Sequence, residues 1–123
     1  MKSDHDTINK TLEENLKKAL TELLVLFLLS RREYYIGELT NAISARSSGA
    51  LTVVFPYAAI YRMTRGGYIA ESGKRAAPDG RLRQYYKITE EGRTYLEGLL
   101  STYHRFSRAV DDILREGGRQ DAR

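Results

Sequence analysis

The hydrophobic pattern of this chain changes period at a pair of glycines. Up to Arg65 apolar residues recur three and four apart. Beyond Gly66-Gly67 they gather in two short runs, Tyr68 to Ala70 and Leu82 to Ile88, separated by a segment that holds Gly73, Pro78, Asp79 and Gly80. Side chains repeat every 3.6 residues around a helix and every 2 along a strand. The order is therefore constrained to helices, a hairpin with a basic turn, and a final helix whose spacing resumes at Thr89.

Three helices are expected before the glycines. From Ile8 to Arg31 the positions Ile8, Leu12, Leu16, Leu20, Leu23, Leu24, Phe27 and Leu28 keep helical spacing, and Glu13/Lys17 and Glu14/Lys18 add i,i+4 pairs in the favourable orientation. This reads as one long helix or as a short arm followed by a core helix. Tyr35 to Arg46 places Ile36, Leu39 and Ile43 on one face and ends at Ser47-Ser48-Gly49. Pro56 suits the first turn of a third helix, with Ala59, Ile60 and Met63 inward. After the hairpin, Thr89 is a capping residue with Glu90 and Glu91 in the first turn. Leu96, Leu99, Tyr103, Phe106, Val110 and Ile113 then form a heptad seam over about two and a half heptads. Such a seam would pair with a second copy, although the same residues would also serve to cover a three-helix core.

The fold class expected is mainly α with a small β-hairpin: a winged helix-turn-helix plus a long C-terminal dimerisation helix. All of it fits a single domain over 1–123, with the winged unit and its N-terminal helix at 8–88 and the dimerisation helix at 89–116. Residues 1–6 are expected to fray, and 117–123, which open with Gly117-Gly118, to form a mobile tail.

Several function classes lose support. The 123 residues include no cysteine, which removes disulfides and thiolate metal sites. The N-terminal segment is polar and charged rather than a signal peptide, and the longest apolar run, Leu23 to Leu29, is far short of the ~18 residues of a membrane span. The cytoplasm is the expected compartment, with no membrane partner. His5 and His104 stand alone, and Asp111 and Asp112 are adjacent on a helix and point apart. Phosphate-binding and nucleophile motifs are missing. The expectation is a non-enzyme without cofactor or metal.

Charge locates the functional surface. The chain carries a net +4, yet Tyr61 to Lys87 alone holds seven basic residues against two acidic ones. That segment spans most of the third helix and the whole hairpin, the elements that a winged helix places in the major groove and along the flanking backbone of DNA. Candidate contacts on the helix are Tyr57, Ala58, Tyr61, Arg62 and Arg65, where an arginine can fork onto guanine. On the hairpin they are Lys74, Arg75, Arg81 and Arg83, suited to phosphates or the minor groove. Of Tyr85 and Tyr86, which alternate across a strand, at least one is expected in the core.

The stretch Tyr57 to Ile69 (YAAIYRMTRGGYI), the hairpin Gly80 to Thr89 (GRLRQYYKIT) and the helix start Thr89 to Leu96 (TEEGRTYL) resemble the PadR family of transcription regulators, in the branch with a single short C-terminal helix. The resemblance covers roughly 18–114. It would match Tyr57 to the family's tyrosine near the start of the recognition helix, and Arg81, Arg83, Tyr85 and Tyr86 to its wing motif. Two segments depart from the family pattern: Tyr35-Ile36-Gly37-Glu38-Leu39 stands in place of Y-G-Y-E-[IL], and Val54-Phe55-Pro56-Tyr57 in place of G-T-L-Y.

The resemblance further implies a homodimer through the first and last helices, with Leu12, Leu16, Leu96, Leu99, Tyr103, Phe106, Val110 and Ile113 at the interface. It also implies a small aromatic or cationic effector held there. Tyr103 and Phe106 would provide the ligand platform in a chain that has no tryptophan. Together these expectations describe a homodimeric repressor that acts on double-stranded DNA. The rivals are a winged-helix module that pairs with proteins and uses its basic hairpin only for solubility, and a multidrug-response or metal-sensing winged helix. Scarce histidine and absent cysteine count against metal sensing.

Overall fold

A computed structural model of the chain describes the backbone of residues 4–53 and 56–121, and side chains over 10–53 and 56–115. The expected fraying of 1–6, the tail at 117–123 and the Val54-Phe55 departure fall wholly or partly outside these ranges. The elements run α1 (Asp4–Arg31), β1 (Tyr34–Tyr35), α2 (Ile36–Arg46), α3 (Tyr57–Arg65), β2 (Ile69–Ala76), β3 (Leu82–Ile88) and α4 (Glu90–Asp121). The winged helix-turn-helix expected from the period change is present, and α1 is one continuous helix.

The apolar run in α1 explains how the body is assembled. Leu23, Val25, Leu26, Leu28 and Leu29 are all buried, so this stretch of α1 is covered on more than one side. It packs against α2, α3, α4 and β3. Leu39 and Ile43 from α2, Ala59, Ile60 and Met63 from α3, Ile69 and Ile88 from the hairpin and Leu96 from α4 complete one core. Burying each large aliphatic side chain contributes ~1.5–3 kcal/mol, which is why this run, rather than helix propensity, fixes α1 at the centre.

The sheet differs from the expected hairpin in two ways. A third strand, β1, pairs antiparallel with β3, with Tyr34 opposite Tyr86 and Tyr35 opposite Tyr85, giving the order β1-β3-β2. Two residues are too few to show alternation in sequence; they become a strand because the edge of β3 offers them partners. Secondly, β2 continues to Ala76 through Gly73, which had been expected in the turn. The ladder absorbs an irregularity between Glu71 and Gly73, and glycine tolerates the φ of 114° found there. The turn is thereby shortened to Ala77–Arg81, closed by the Ala77 N–H donating to the Arg81 carbonyl at 2.8 Å.

The junction of wing and last helix is tightly built. The Thr89 hydroxyl accepts the Gly92 N–H at 3.0 Å and donates to the Gly67 carbonyl at 2.6 Å, while the Thr89 N–H donates to the Tyr68 carbonyl at 3.0 Å. One residue thus caps α4 and ties it to the turn after α3. Gly92 lies so close that a Cβ would overlap the Tyr68 carbonyl oxygen and approach Ile88 Cγ1 to 2.7 Å. At its far end α4 runs to Asp121, past the glycine pair expected to stop it. Glycine lowers helix propensity by about 1 kcal/mol but, unlike proline, keeps the N–H that the ladder needs.

Candidate nucleic-acid interface

Burial sorts the residues of α3. Ala59, Ile60 and Met63 are buried, and Tyr57, Ala58, Tyr61, Arg62 and Arg65 are exposed. At 100° per residue, Ala58, Tyr61 and Arg65 lie opposite the core, with Tyr57 and Arg62 on the two flanks. The outward group is linked internally: Arg65 Nη1 donates to the Tyr61 hydroxyl at 3.2 Å, and its guanidinium lies 5.6 Å from that ring. An arginine steadied by a neighbouring tyrosine, and in no ion pair among the described residues, suits a base edge or a phosphate.

Arg62 is placed differently. Its Nε lies 2.9 Å from Glu22 Oε2 on α1, and the other oxygen of that carboxylate accepts the Tyr95 hydroxyl of α4 at 2.9 Å. Tyr95 in turn stacks on Tyr68 with ring centroids 4.2 Å apart. Burial, and then the bond to Glu22, push the Tyr95 phenol above its ordinary pKa. Arg62 therefore points along the body of the protein in this structure, towards α1 and α4. Nothing in its own sequence neighbourhood distinguishes it from Arg65, because its partner is 40 residues away.

The wing arginines also divide. Arg75 Nη2 pairs with Glu33 at 2.8 Å and its guanidinium covers the Tyr85 ring at 3.7 Å. Tyr85 meets Tyr35 edge-on at 5.5 Å, and Arg83 lies 5.2 Å over Tyr35 while pairing with Asp79 at 2.9 Å. Arg75, Tyr85, Tyr35 and Arg83 form a continuous cation–aromatic stack along the wing, of the kind worth ~0.5–2 kcal/mol per contact. Arg75 first, and Ser72 second, hold the Glu33 carboxyl below its ordinary pKa by hydrogen bonding; Arg83, followed by the Arg81 N–H, does the same for Asp79. The Arg83 guanidinium is pushed up in return, chiefly by its bond to Asp79. Lys74 and Arg81 are exposed and belong to none of the ion pairs among the described residues. Of the two tyrosines in β3, Tyr85 is buried, and partial burial raises the pKa of Tyr86.

The residues assigned to a dimer interface separate along their helices. Leu96 is 7 % exposed and belongs to the chain's own core, which corrects its assignment to an interface: the first turns of α4 lie over α1 and the hairpin, and the seam there is already covered. Leu99 is half-buried. Leu12, Leu16, Tyr103, Phe106, Val110 and Ile113 are exposed, and Leu114 joins them, a residue that the 3–4 spacing had passed over. Between α1 and α4 lies a largely apolar groove of about 550 Å³, lined by Leu16, Leu20, Leu23, Leu99, Tyr103, Phe106 and Val110 and by the acidic Glu22 and Asp111.

Glu22 and Glu33 were missed from sequence because Glu22 reads as an ordinary solvated helix charge and Glu33 as a solvated charge in the connection between two helices. The one available signal for Glu22 is that it directly precedes the apolar run. Among the described residues no group of three His, Cys, Asp or Glu side chains could hold a metal ion, and no helix is long and apolar enough to cross a membrane.

Comparison with known proteins agrees with this architecture. The model of the transcriptional regulator PadR-like family matches residues 25–98. A PadR-like transcriptional regulator from Bacillus cereus superposes with a TM-score of 0.68 at 26% identity, covering 81% of this chain and 96% of that one. A PadR family transcriptional regulator from Eggerthella lenta gives a TM-score of 0.73 at 22% identity over 92% and 94% of the two chains. A transcriptional regulator from Clostridium thermocellum gives 0.68 at 20% identity over 80% and 93%; these last two similarities speak for the fold. No curated relative matches the sequence.

Proposed function

The chain belongs to the PadR-like family of transcriptional regulators, whose members are not enzymes, and from that premise we propose that it is a homodimeric repressor of double-stranded DNA. The observation that carries this reading is the outward face of α3. Tyr61 and Arg65 stand exposed and mutually bonded on the helix that this fold presents to a major groove, on the same basic segment as Lys74 and Arg81 of the wing. The helix specifies and the wing holds: Arg65 reads a base edge, Tyr57 and Tyr61 reach phosphates, and Lys74 and Arg81 add sequence-independent attraction.

Dimerisation follows from the stripe Leu12, Leu16, Phe106, Val110, Ile113 and Leu114. An exposed apolar strip of this length on two neighbouring helices is a poor surface for a monomer, and its heptad spacing suits a second copy of itself. Two recognition helices then address half-sites about 34 Å apart on an inverted repeat, and occupancy excludes polymerase from the promoter. The groove between α1 and α4, with Tyr103 and Phe106 on its wall and Glu22 at its edge, takes a small aromatic or cationic effector that changes the spacing of the two reading helices. The protein works in the cytoplasm, where its DNA is.

The test is selection of bound sequences from a random oligonucleotide pool at two salt concentrations. Enrichment of an inverted repeat supports the repressor. Weak retention without sequence enrichment overturns it in favour of a protein-pairing module. On the selected site, Arg65→Ala is expected to lower affinity by about 1–3 kcal/mol per half-site and to relax preference at one base pair in each.

A further inference from the structure

The Glu22 carboxylate has both of its oxygens in use, and each partner sits on a different helix. Oε2 lies 2.9 Å from Arg62 on α3 and Oε1 lies 2.9 Å from the Tyr95 hydroxyl on α4, while Glu22 itself belongs to α1 and borders the groove. The pair is unevenly exposed, with the arginine side chain at 59 % and the carboxylate at 21 %. Arg62 is thus reachable from solvent, whereas Glu22, which has no other ion-pair partner among the described residues, is left uncompensated if the arginine leaves. Stripping one member from a partly buried pair costs more than an exposed pair contributes, so the arginine stays where it is.

We infer that Glu22 is a positioning residue: it holds Arg62 out of the set of DNA-contacting side chains and ties the reading helix to α4 through Tyr95. The groove edge and the DNA-reading helix therefore share one carboxylate. Arg62 sits on the basic segment and on the reading helix, and by charge alone it would count as a phosphate contact. The geometry removes it from that count, and the effective positive charge of α3 towards DNA rests on Arg65. The inference depends on the DNA-binding reading given above.

The salt dependence of DNA affinity separates these possibilities, because each cation that neutralises a phosphate adds about 0.9 to the slope of log affinity against log salt. The full-length protein and the variants R62Q, E22Q and E22Q/R62Q are titrated against the selected DNA between 50 and 200 mM salt, with folding checked by circular dichroism. R62Q is expected to leave the slope unchanged. E22Q is expected to release Arg62 in both protomers and steepen the slope by about 1.8 per dimer, roughly a 12-fold greater loss of affinity across that salt range. The double variant is expected to return to the wild-type slope.

A shallower slope for R62Q alone overturns the inference, since Arg62 would then already touch DNA. An unchanged slope for E22Q overturns it as well. So does an E22Q effect that persists in the double variant, which would reflect only the loss of a negative charge. If the wild-type protein shows no salt-dependent binding, the DNA-binding reading fails and this inference falls with it, a result distinct from the other three.

Discussion

The inner and outer halves of the two long helices have nearly the same kind of sequence and opposite surroundings. In α4, Leu96 is buried while Ile113, on the same 3–4 seam, is 70 % exposed; in α1, Leu26 is fully buried while Leu12 and Leu16 face solvent. Spacing thus records that a face is apolar without recording what covers it. The inner half of α1 is covered by α2, α3, β3 and α4, and that of α4 chiefly by α1, all of the same chain. In the proposed dimer the outer halves are covered by a second copy, so stability should depend on protein concentration only for the outer set.

The deepest break in the inner half is expected from Gly92→Ala, where the new methyl overlaps a backbone carbonyl that no rotamer can relieve. It should cost on the order of 4 kcal/mol in urea unfolding at any protein concentration. Leu96→Ala should follow at about 3 kcal/mol, likewise independent of concentration; a concentration-dependent loss would put Leu96 back at an interface. In the outer half, F106D/I113D should leave the circular dichroism spectrum unchanged and raise the dimer dissociation constant at least 100-fold, about 2.7 kcal/mol, by sedimentation equilibrium. A wild-type chain that sediments as a monomer at micromolar concentration would remove the distinction altogether.

Two further variants touch neither half and sharpen the contrast from the wing. K74A/R81A should lower affinity for all sequences alike and reduce the salt slope by about 3.6 per dimer, two cations being lost from each protomer, with melting temperature and oligomeric state unchanged. The smallest effect belongs to Glu33. Its folded pKa lies below the ordinary 4.5, so the stability it adds is present above that value and is lost as pH falls through the folded pKa. Because its side chain is 43 % exposed, E33Q should cost under about 1 kcal/mol at pH 7 and nothing once the wild-type carboxyl is protonated; a cost that persists into acid would show that the charge is not what matters.

The change of period at Gly66-Gly67, the spacing of α2 and α3, the limits of β3 and the Thr89 cap were all legible in the sequence, because each depends on residues within a few positions of one another. The basic segment was legible as a total. Its division was not: Arg62 and Arg75 are committed to Glu22 and Glu33, 40 and 42 residues away, while Lys74 and Arg81 enter no ion pair among the described residues. The strand Tyr34–Tyr35 escaped for a similar reason, since two residues carry no periodicity and their pairing is supplied by β3.

What the sequence determined by itself is the local inventory: which segments coil, which extend, where the chain turns, and that one stretch is positive enough to meet a polyanion. The tertiary structure decided which apolar residues are already covered and which cations are already paired. Burial and ion pairing are properties of neighbours in space, and in α1, α3 and α4 those neighbours come from segments tens of residues apart, a distance over which helical spacing carries no information.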